Sequence, residues 1–456
     1  MSGERDCELW GAPRILMNRL LIQTIACVAW AMTTTAVPAS EAPGLHPAVT
    51  AFFESEDPFV QKVVIPNIEA NRKCDAVLSV VDSEGKPIDG ATVSASLARH
   101  EFLFGHCDLA TEQDPKQRKL LNELFHYTCP GNVTKWRAHA KTPDRQDFSK
   151  IDEVLGFCDS RGVDFEWHFL SGYHPGWLEE VDSVSEKARH QVENSKAVLQ
   201  RYGDRVRFFQ VINEDWRTHI DRAKVYIDQT AWFAELRKEF PDVELGVCDC
   251  WSFNTERQLP GVEELKARYP GINFISMHAH NPRQLWASPK EMYGTYDPYL
   301  NSGIKIHLTE FGIILGEITG EYRSGEWTDE LLAEYFVQAL ATSFSHKSVR
   351  TFNFWSNYEK FTGNPLFTEE GEPNVKYRAI QSLLQDKLTT RESGATDASG
   401  RFAFRGFHGE YDLVVTLGSG TRITGKATLA SDASEVRLVM DPVGRTLTPE
   451  LLSQAR

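Results

Sequence analysis

Residues 206–214 read Val-Arg-Phe-Phe-Gln-Val-Ile-Asn-Glu, and residues 304–310 read Ile-Lys-Ile-His-Leu-Thr-Glu. Each is a short and mostly apolar stretch, which is typical of a buried strand, and each ends on a polar residue followed by a glutamate. Similar apolar stretches recur at 102–105, 163–168, 244–247, 272–277 and 350–354, with helix-like segments between them. This alternation over residues 102–388 predicts an α/β fold, specifically a (β/α)₈ TIM barrel.

Helical patterns occupy the segments between these strands. Thr328 is suited to cap a helix whose first turn contains Asp329 and Glu330, because acidic residues are favourable at a helix N-terminus. The apolar residues that follow have helical spacing: Leu331, Leu332, Tyr335, Phe336, Ala339 and Leu340. A doubly wound open sheet fits the same alternation. No glycine-rich phosphate-binding motif follows the first strand, however, so a nucleotide-binding version of that sheet has no support.

Residues 69–101 and 389–445 have a different pattern, that of short antiparallel strands with one buried face. Neither flank has enough strands to be stable alone. We therefore expect the two flanks to join into one small β-sandwich, which the barrel of residues 102–388 interrupts. Residues 81–91, together with 396–402 and 409–413, resemble the two halves of a carboxypeptidase regulatory-like domain. Two separate β-appendages packed on the barrel are the alternative.

Residues 1–39 read as a secretory signal peptide. Arg14 and Arg19 precede an apolar stretch over 20–32, and small residues follow as far as Val37-Pro38-Ala39. This order predicts a secreted or periplasmic protein with no stable membrane insertion, because the stretch is short for a membrane span. Translation from Met17 would retain the signal, and an anchor that is never cleaved is the alternative. Residues 40–68 are expected to form a linker ending in a short helix, and residues 446–456 a tail.

The formal net charge of −15 argues against nucleic acid or an anionic membrane as a partner and suits a neutral substrate. Two of the 8 cysteines, Cys7 and Cys27, lie in the signal. Export would permit disulfides among the others, but their pairing is not readable from sequence. The segment Cys248-Asp249-Cys250 lacks the spacing and the second ligand pair of a zinc motif. No metal and no cofactor are implied, and a monomer is expected.

Glu214 and Glu310 carry the predicted chemistry. We assign them to the ends of the fourth and seventh of the eight barrel strands, and such barrels keep their active sites at the C-terminal ends of the strands. Those two strands lie across the barrel mouth from each other, so both carboxylates are expected to face one cleft. Glycoside hydrolysis needs such a pair, one carboxyl to protonate the leaving oxygen and one carboxylate to attack the anomeric carbon. A carboxyl separation of about 5–5.5 Å belongs to the retaining reaction and about 6.5–9.5 Å to the inverting one.

Six short segments of the central region follow one another in an order known from one enzyme family. They are Asn132-Val133-Thr134-Lys135-Trp136, Tyr173-His174-Pro175-Gly176-Trp177, Val211-Ile212-Asn213-Glu214, His278-Ala279-His280, His307-Leu308-Thr309-Glu310 and Phe354-Trp355. In these segments the chain resembles glycoside hydrolase family 10, the endo-β-1,4-xylanase family, and especially its plant-like branch. The resemblance implies a retaining hydrolase of β-1,4-xylan or a related β-glycan, with a polysaccharide or oligosaccharide as its partner. Glu214 would be the acid/base and Glu310 the nucleophile.

The resemblance also implies residues that bind the substrate. Asn213 would donate to the sugar 2-hydroxyl, a bond that strengthens as the oxocarbenium ion forms. His280 would hydrogen-bond Glu310 and help to keep it ionised, and Trp355 would stack on a sugar face. The other positions carried over are Asn132, Lys135, His168 and His278.

Most of these residues also have a structural interpretation. Asn213 is suited to cap a turn, and Trp355 to pack in a core. His278 and His280 point to the same side of a strand, which also suits a metal ion, but no third ligand is in view. The loop residues Tyr173 and Trp177 are suited merely to shape their loop.

Several positions depart from the family pattern. Gly131 stands where the family has a glutamate, His278 where it has a glutamine, and Phe311-Gly312 where Leu-Asp is common. The family segment that contains its first histidine is shortened to Trp167-His168-Phe169-Leu170, and Cys248-Asp249-Cys250-Trp251 replaces an Asn-rich segment. These changes affect substrate contacts more than the carboxylates. Two alternatives therefore stay open: a retaining glycosidase that acts on a different plant or algal polysaccharide, and a carbohydrate-binding relative without turnover.

Overall fold

In a computed structural model of the protein, the described residues are 44–213, 226–250, 253, 260–280, 286–318, 322–355, 362–430, 435–441 and 446–451. The strands, in chain order, are β1 (Lys73–Val81), β2 (Thr92–His100), β3 (Leu103–His106), β4 (Tyr127–Thr128), β5 (Ala140–Thr142), β6 (Arg145–Gln146), β7 (Asp164–His168), β8 (Phe208–Asn213), β9 (Glu244–Cys250), β10 (Phe274–Ala279), β11 (Lys305–Phe311), β12 (Glu317–Ile318), β13 (Gly325–Glu326), β14 (Val349–Phe354), β15 (Arg391–Ala395), β16 (Arg401–Phe407), β17 (Gly409–Thr416), β18 (Arg422–Leu429), β19 (Glu435–Asp441) and β20 (Thr446–Leu451).

The helices lie mainly between the strands. The α-helices are Pro47–Phe53, Ile65–Arg72, Pro115–Leu124, Trp136–His139, Ser149–Arg161, Val184–Tyr202, Gln229–Glu239, Val262–Arg268, Pro289–Tyr296, Asp329–Ser345 and Val375–Ser382. Short 3₁₀ turns span Gly176–Glu180 and Asp297–Tyr299, and π-helical turns span Val60–Val64 and Leu383–Lys387. None of these helices combines the length and the apolar character needed to cross a bilayer. The Thr328 cap is confirmed, because its side chain accepts a hydrogen bond from the backbone amide of Leu331.

Eight parallel strands close into a barrel in the order β3-β4-β7-β8-β9-β10-β11-β14, with β14 returning to β3. This confirms the predicted (β/α)₈ barrel. Seven of the strands coincide with the apolar stretches of the sequence. The remaining strand, β4, consists only of Tyr127 and Thr128. Tyr127 pairs with both neighbouring strands, and Thr128 pairs with one of them. Two residues are too few to produce a recognisable apolar run.

The two flanks pair in a single eight-stranded sheet of order β15-β2-β17-β18-β20-β19-β1-β16. Its strand β1 lies between β16 and β19, and β2 lies between β15 and β17. Both flanks contribute to one apolar core, which contains Leu78, Val93, Leu413, Ile423 and Leu438. The two flanks are therefore paired with each other in one sheet, whereas their assignment as a small β-sandwich domain stays a prediction. The resemblance of this sheet to a regulatory-like domain stays a prediction.

The expected linker at 40–68 and the expected tail at 446–456 are both partly structured. Pro47–Phe53 and the segment from Val60 to Arg72 are helical, because Val49 and Val64 are fully buried in the apolar cluster that includes helix Asp329–Ser345. Residues 446–451 form β20, antiparallel to β19, and Leu447 enters the sheet core. Pro449 makes this strand hard to predict from the sequence, because proline lacks the N–H that a strand interior normally uses.

The sheet is joined to the barrel at His100, the last residue of β2. Its ring packs edge-on against Phe104, Phe344 and Phe407, and its Nε2 lies 2.6 Å from the carbonyl oxygen of Leu388. Burial lowers the pKa of His100 to about 4. The native protein therefore keeps this histidine neutral at pH values where the unfolded chain binds a proton.

A buried acid–base cluster fills the lower part of the barrel interior. Glu166 of β7 and His307 of β11 are fully buried, and the Glu166 Oε2 atom lies 2.7 Å from His307 Nδ1. Tyr127 donates its hydroxyl to the same carboxylate oxygen at 2.7 Å. The His307 ring also stacks on Phe274, with ring centroids 4.2 Å apart. This cluster ties three strands together across the barrel.

Replacing Glu166 by Gln puts an amide group, which has only one acceptor oxygen, in the place of the carboxyl group that contacts Tyr127 and His307. We expect the free energy of unfolding to fall by about 1–3 kcal/mol, the usual cost of leaving a buried polar group without its hydrogen bond. Urea denaturation followed by circular dichroism measures the change. Glu153→Gln, on the exposed face of helix Ser149–Arg161, is the matched control and should change stability by less than about 0.5 kcal/mol. A Glu166→Gln protein as stable as this control would contradict the role of the cluster.

The low pKa of His100 predicts a pH-dependent loss of stability. Below about pH 6.5 the unfolded chain gains a proton at this residue and the native state does not, so the native state loses stability as pH falls towards about 4. Between pH 7 and pH 4 the wild type should lose about 3 kcal/mol more than His100→Gln. Urea denaturation at each pH gives both values. His190→Gln, at a partly exposed histidine, should follow the wild-type pH dependence, and equal losses in wild type and His100→Gln would refute this assignment.

Candidate active site

Glu310 reaches the C-terminal mouth of the barrel because β11 contains one extra residue. Against β10, Met277 pairs with Leu308 and His278 pairs with Glu310, so Thr309 is bulged out of register. The pairing of β11 with β14 shifts at the same place. Such β-bulges change the direction in which the next side chain points.

The bulge reverses the face on which Glu310 lies. Ile306 and Leu308 belong to the apolar layer between the strands and the helices, and strict alternation would place Glu310 with them. Instead Phe311 takes the outward position, where its ring contacts Phe336. Glu310 is thereby directed into the barrel mouth, although only 7 % of it is exposed.

Three histidines from two other strands surround the Glu310 carboxylate. His168, at the end of β7, places Nε2 2.9 Å from Oε1. His278 of β10 places Nε2 3.2 Å from the same oxygen, and His280 places Nε2 2.7 Å from Oε2. Both carboxylate oxygens therefore face imidazole nitrogens at hydrogen-bonding or ion-pair distance.

This surrounding determines the charge of Glu310. Burial by itself raises the pKa of a carboxyl, but here the charge of His278 and the hydrogen bonds from His168 and His280 outweigh it. The pKa of Glu310 consequently lies well below its ordinary value. The side chain is an anion that is almost completely buried, which suits a carboxylate nucleophile.

A chain of side-chain contacts connects Asn213 to the same carboxylate. Gln210 donates its amide group to Asn213 Oδ1, and the Gln210 Oε1 atom lies 3.3 Å from Nδ1 of His168. The Asn213 backbone amide donates to the Ser171 hydroxyl at 3.2 Å. A second bulge, at Val211 of β8, brings Asn213 to the side of Gln210. The end of the fourth barrel strand is thus positioned relative to Glu310 through His168.

Asn353 of β14 supports the bulge in β11. Its amide group donates to the backbone carbonyl of Thr309 at 2.8 Å, and its Oδ1 accepts from the Cys129 amide at 3.4 Å. Asn353 is completely buried. It therefore fixes both the residue before Glu310 and the beginning of the loop that follows β4.

Trp355 lies beside the histidines and against Gly131. Its ring centroid is 6.2 Å from that of His168 and 5.9 Å from that of His280. A Cβ atom added at Gly131 would lie 3.0 Å from the Trp355 ring, which is closer than side chains normally approach. Gly131, which stands where the family has a glutamate, therefore has no side chain that would crowd the Trp355 indole.

Lys135 and Asn132 form a pair on the loop after β4. The Lys135 Nζ atom donates to Asn132 Oδ1 at 2.9 Å and lies 4.0 Å from the centroid of the Tyr173 ring. Thr134 between them donates its hydroxyl to the backbone carbonyl of His168. The loop is thus fastened to the residue that binds Glu310. Trp177 of the neighbouring loop donates to the Ala140 carbonyl at 2.9 Å, which supports its interpretation as a loop-shaping residue.

The structure brings together five of the predicted site residues: Glu310, His168, His278, His280 and Trp355. Asn213 joins them through Gln210, and Lys135 with Asn132 through Thr134. Glu214 lies outside the described residues. Gln210 and Asn353 also belong to the site, but no sequence motif predicts them. Their only signal is an amide side chain in the middle of an otherwise apolar strand.

Two groups of side chains within the described ranges have donor atoms close enough to share a metal ion. One consists of His168, His278 and Glu310, and the other of His106, Cys107 and Asp108 at the end of β3. In each group the donor atoms lie within 4.8 Å of one another. The potential partners of His278 are thus His168 and Glu310, whereas His280 is not part of the group.

Replacing Asn353 by Leu tests whether the bulge depends on this side chain. The substitution leaves the buried Thr309 carbonyl and the Cys129 amide without these bonds, so we expect a loss of about 2–4 kcal/mol in the free energy of unfolding. Urea denaturation provides the measurement. Asn122→Ala, which removes one hydrogen bond on a partly exposed helix surface, is the control and should cost about 1 kcal/mol or less. Equal losses in the two variants would show that Asn353 has no special structural role.

Comparison with known proteins agrees with this geometry. The profile of Glycosyl hydrolase family 10 matches residues 94–381. The chain is 24% identical over 363 residues to the Anti-sigma-I factor RsgI6 of Acetivibrio thermocellus, covering 76% of this chain and 45% of that protein. It is 22% identical over 374 residues to Endo-1,4-beta-xylanase 2 of Arabidopsis thaliana, covering 77% of this chain and 33% of that protein. The chain thus spans less than half the length of both relatives.

Among solved structures, xylanase 10B from Thermotoga petrophila in complex with xylobiose superimposes with a TM-score of 0.52 at 17% identity. The alignment covers 63% of this chain and 95% of that structure. At this identity the likeness establishes the fold of the barrel. The family profile covers more than half of the chain. This chain belongs to glycosyl hydrolase family 10.

Proposed function

We propose that this protein is a retaining glycoside hydrolase that cleaves β-1,4-xylan or a related β-glycan by double displacement. The observation that carries the proposal is the Glu310 carboxylate, ionised and surrounded by His168, His278 and His280 at the mouth of the barrel. A buried anion at this place has no cationic Lys or Arg partner among the ion pairs of the described residues. Its environment suits attack on a centre that develops positive charge.

In the proposed reaction Glu310 is the nucleophile and Glu214 the acid/base. Glu310 attacks the anomeric carbon, and the bond to the leaving oxygen breaks as Glu214 gives that oxygen its proton. Water then attacks the anomeric carbon of the glycosyl-enzyme, losing a proton to Glu214 and releasing Glu310 as a carboxylate. The position of Asn213 supports the role of Glu214, because Asn213 ends β8 and is linked to His168 through Gln210.

The sugar contacts are proposed from side chains around Glu310. Trp355 offers an indole face beside His168 and His280, and aromatic faces suit the apolar faces of sugar rings. Asn132 and Lys135 offer an amide and an ammonium group for hydroxyls. Asn213 would donate to the sugar 2-hydroxyl. His278 and His280 contribute mainly by holding Glu310.

A different polysaccharide is the second candidate, and Gly131 favours it. The family glutamate at this position would supply a hydroxyl contact, whereas here Trp355 occupies the space next to Gly131. The sugar that binds beside Glu310 therefore lacks the carboxylate contact that the family pattern has at this position. A plant or algal β-glycan with a different hydroxyl pattern would suit this change. A carbohydrate-binding role without turnover is the third candidate, because the departures from the family pattern, Gly131 among them, affect substrate contacts.

The decisive experiment measures reducing-sugar release by the purified protein from xylan, mixed-linkage β-glucan and β-mannan. We expect release from at least one of them, and Glu310→Gln should lower kcat by at least about 10³-fold, because a nucleophile is lost. Glu153→Gln is the control and should retain wild-type turnover. Proton NMR of the first product should show the anomeric configuration of the substrate.

Three outcomes contradict parts of this proposal. Wild-type turnover in Glu310→Gln would refute its role as nucleophile. A first product of inverted configuration would refute double displacement. Binding of a glycan without any turnover by the folded wild type would support the carbohydrate-binding alternative instead.

We further propose that the protein is exported, to the periplasm or the medium, and acts as a monomer without a cofactor. The order of charged, apolar and small residues in the first 39 positions supports export. A polymeric substrate outside the cytoplasm is consistent with it. The fully buried thiols Cys107 and Cys129, whose pKa values burial raises well above the ordinary range, are poorly reactive in such a compartment.

A further inference from the structure

We propose that His168, His278 and Glu310 form a binding site for a divalent transition-metal ion such as Zn²⁺. The three donor atoms are His168 Nε2, His278 Nε2 and Glu310 Oε1. The two nitrogens lie 2.9 and 3.2 Å from the oxygen, and all three atoms are within 4.8 Å of one another. All three residues are buried. Two imidazoles and one carboxylate are a known ligand set of zinc sites that keep a position open for water.

The separations fit such an ion with small movements. Zinc lies about 2.0–2.2 Å from nitrogen and oxygen ligands, so two ligand atoms of a tetrahedral site are about 3.4 Å apart. The distances from Oε1 to the two nitrogens need to grow by only about 0.5 and 0.2 Å to reach this value. The two nitrogens lie within 4.8 Å of each other, so they need to approach by at most about 1.4 Å, which rotations of the imidazole side chains can supply.

The surroundings of His168 favour a cation at its Nε2. Gln210 donates its amide group to Asn213, which leaves its carbonyl oxygen, 3.3 Å away, for the Nδ1–H of His168. With Nδ1 as the donor, the Nε2 lone pair points towards the Glu310 carboxylate. Histidine ligands of metal sites commonly have this arrangement, with the other ring nitrogen donating to an oxygen.

Glu310 is likewise oriented as a ligand through one oxygen. His280 lies 2.7 Å from Oε2 and so holds the carboxylate by the oxygen that faces away from the other two histidines. Oε1 is the atom shared by His168 and His278. A carboxylate fixed in this way offers a single, well-directed oxygen to an ion.

The site depends on the histidine at position 278. In the family that the sequence resembles, a glutamine stands there, and a neutral amide is a much poorer zinc ligand than an imidazole. An ion held by Glu310 would compete with the attack of this carboxylate on a sugar. Zinc should therefore inhibit the reaction, and this consequence alone rests on the proposed function.

The experiment titrates the untagged full chain with Co²⁺, which replaces Zn²⁺ and reports its ligands by visible absorption. We expect d–d bands that saturate at about one equivalent without a sulfur-to-cobalt charge-transfer band, and Zn²⁺ should abolish them. His278→Gln should weaken the affinity at least about tenfold, since it removes a ligand. Cys107→Ser alters the other candidate cluster and should bind as the wild type does.

Several results would overturn the proposal: no saturable binding, equal affinity in wild type and His278→Gln, or a charge-transfer band that Cys107→Ser removes. If circular dichroism shows that His278→Gln is unfolded, Glu310→Gln, with its similar side-chain volume, takes its place and should lose the same affinity. Binding is measured without substrate. A protein that binds Co²⁺ at His278 but hydrolyses no glycan would therefore refute the proposed function and leave the metal site standing.

Discussion

The extra residue at Thr309 is the constraint on which the site depends. A strand of alternating faces would direct Glu310 towards the helices, into the layer of Ile306 and Leu308. The bulge at Thr309 reverses the face of the strand on which the next side chain lies, just before the barrel mouth. The Asn353 amide group donates to the Thr309 carbonyl at 2.8 Å. The histidines can surround Glu310 only because this reversal has taken place. The chemistry of the site is thus set by a hydrogen bond from the neighbouring strand.

Below the barrel mouth, β7 and β11 supply a second acid–base contact. β7 contributes Glu166 to the lower layer and His168 to the upper one, while β11 contributes His307 and then Glu310. Each layer thus pairs a carboxylate with an imidazole. In the lower layer the carboxylate belongs to β7 and the imidazole to β11, and in the upper layer the assignment is reversed. Any sliding of β7 relative to β11 would break both pairs at once. The barrel interior therefore gives the site rigidity as well as charge.

The sequence predicts the barrel well, because seven of its strands are continuous apolar runs and Thr328 caps its helix. It also indicates the region of the site, since Glu310 and His280 follow such runs. It does not show the bulges at Val211 and Thr309, because a register shift depends on the neighbouring strand. The roles of Gln210 and Asn353 are not predictable for a related reason. A single amide side chain in an apolar run indicates no function until its hydrogen-bond partners are known. Glu214 stays a prediction.

The flanking sheet has a consequence for synthesis of the chain. Its strands β1 and β2 are made first, but their partners β15 and β16 follow only after some 290 further residues. At ordinary rates of translation this interval is on the order of 15–60 s. During that time the two strands expose unpaired backbone edges, which are prone to wrong association. A sheet that unites segments from both sides of the barrel therefore forms only after all the barrel strands between them have been made.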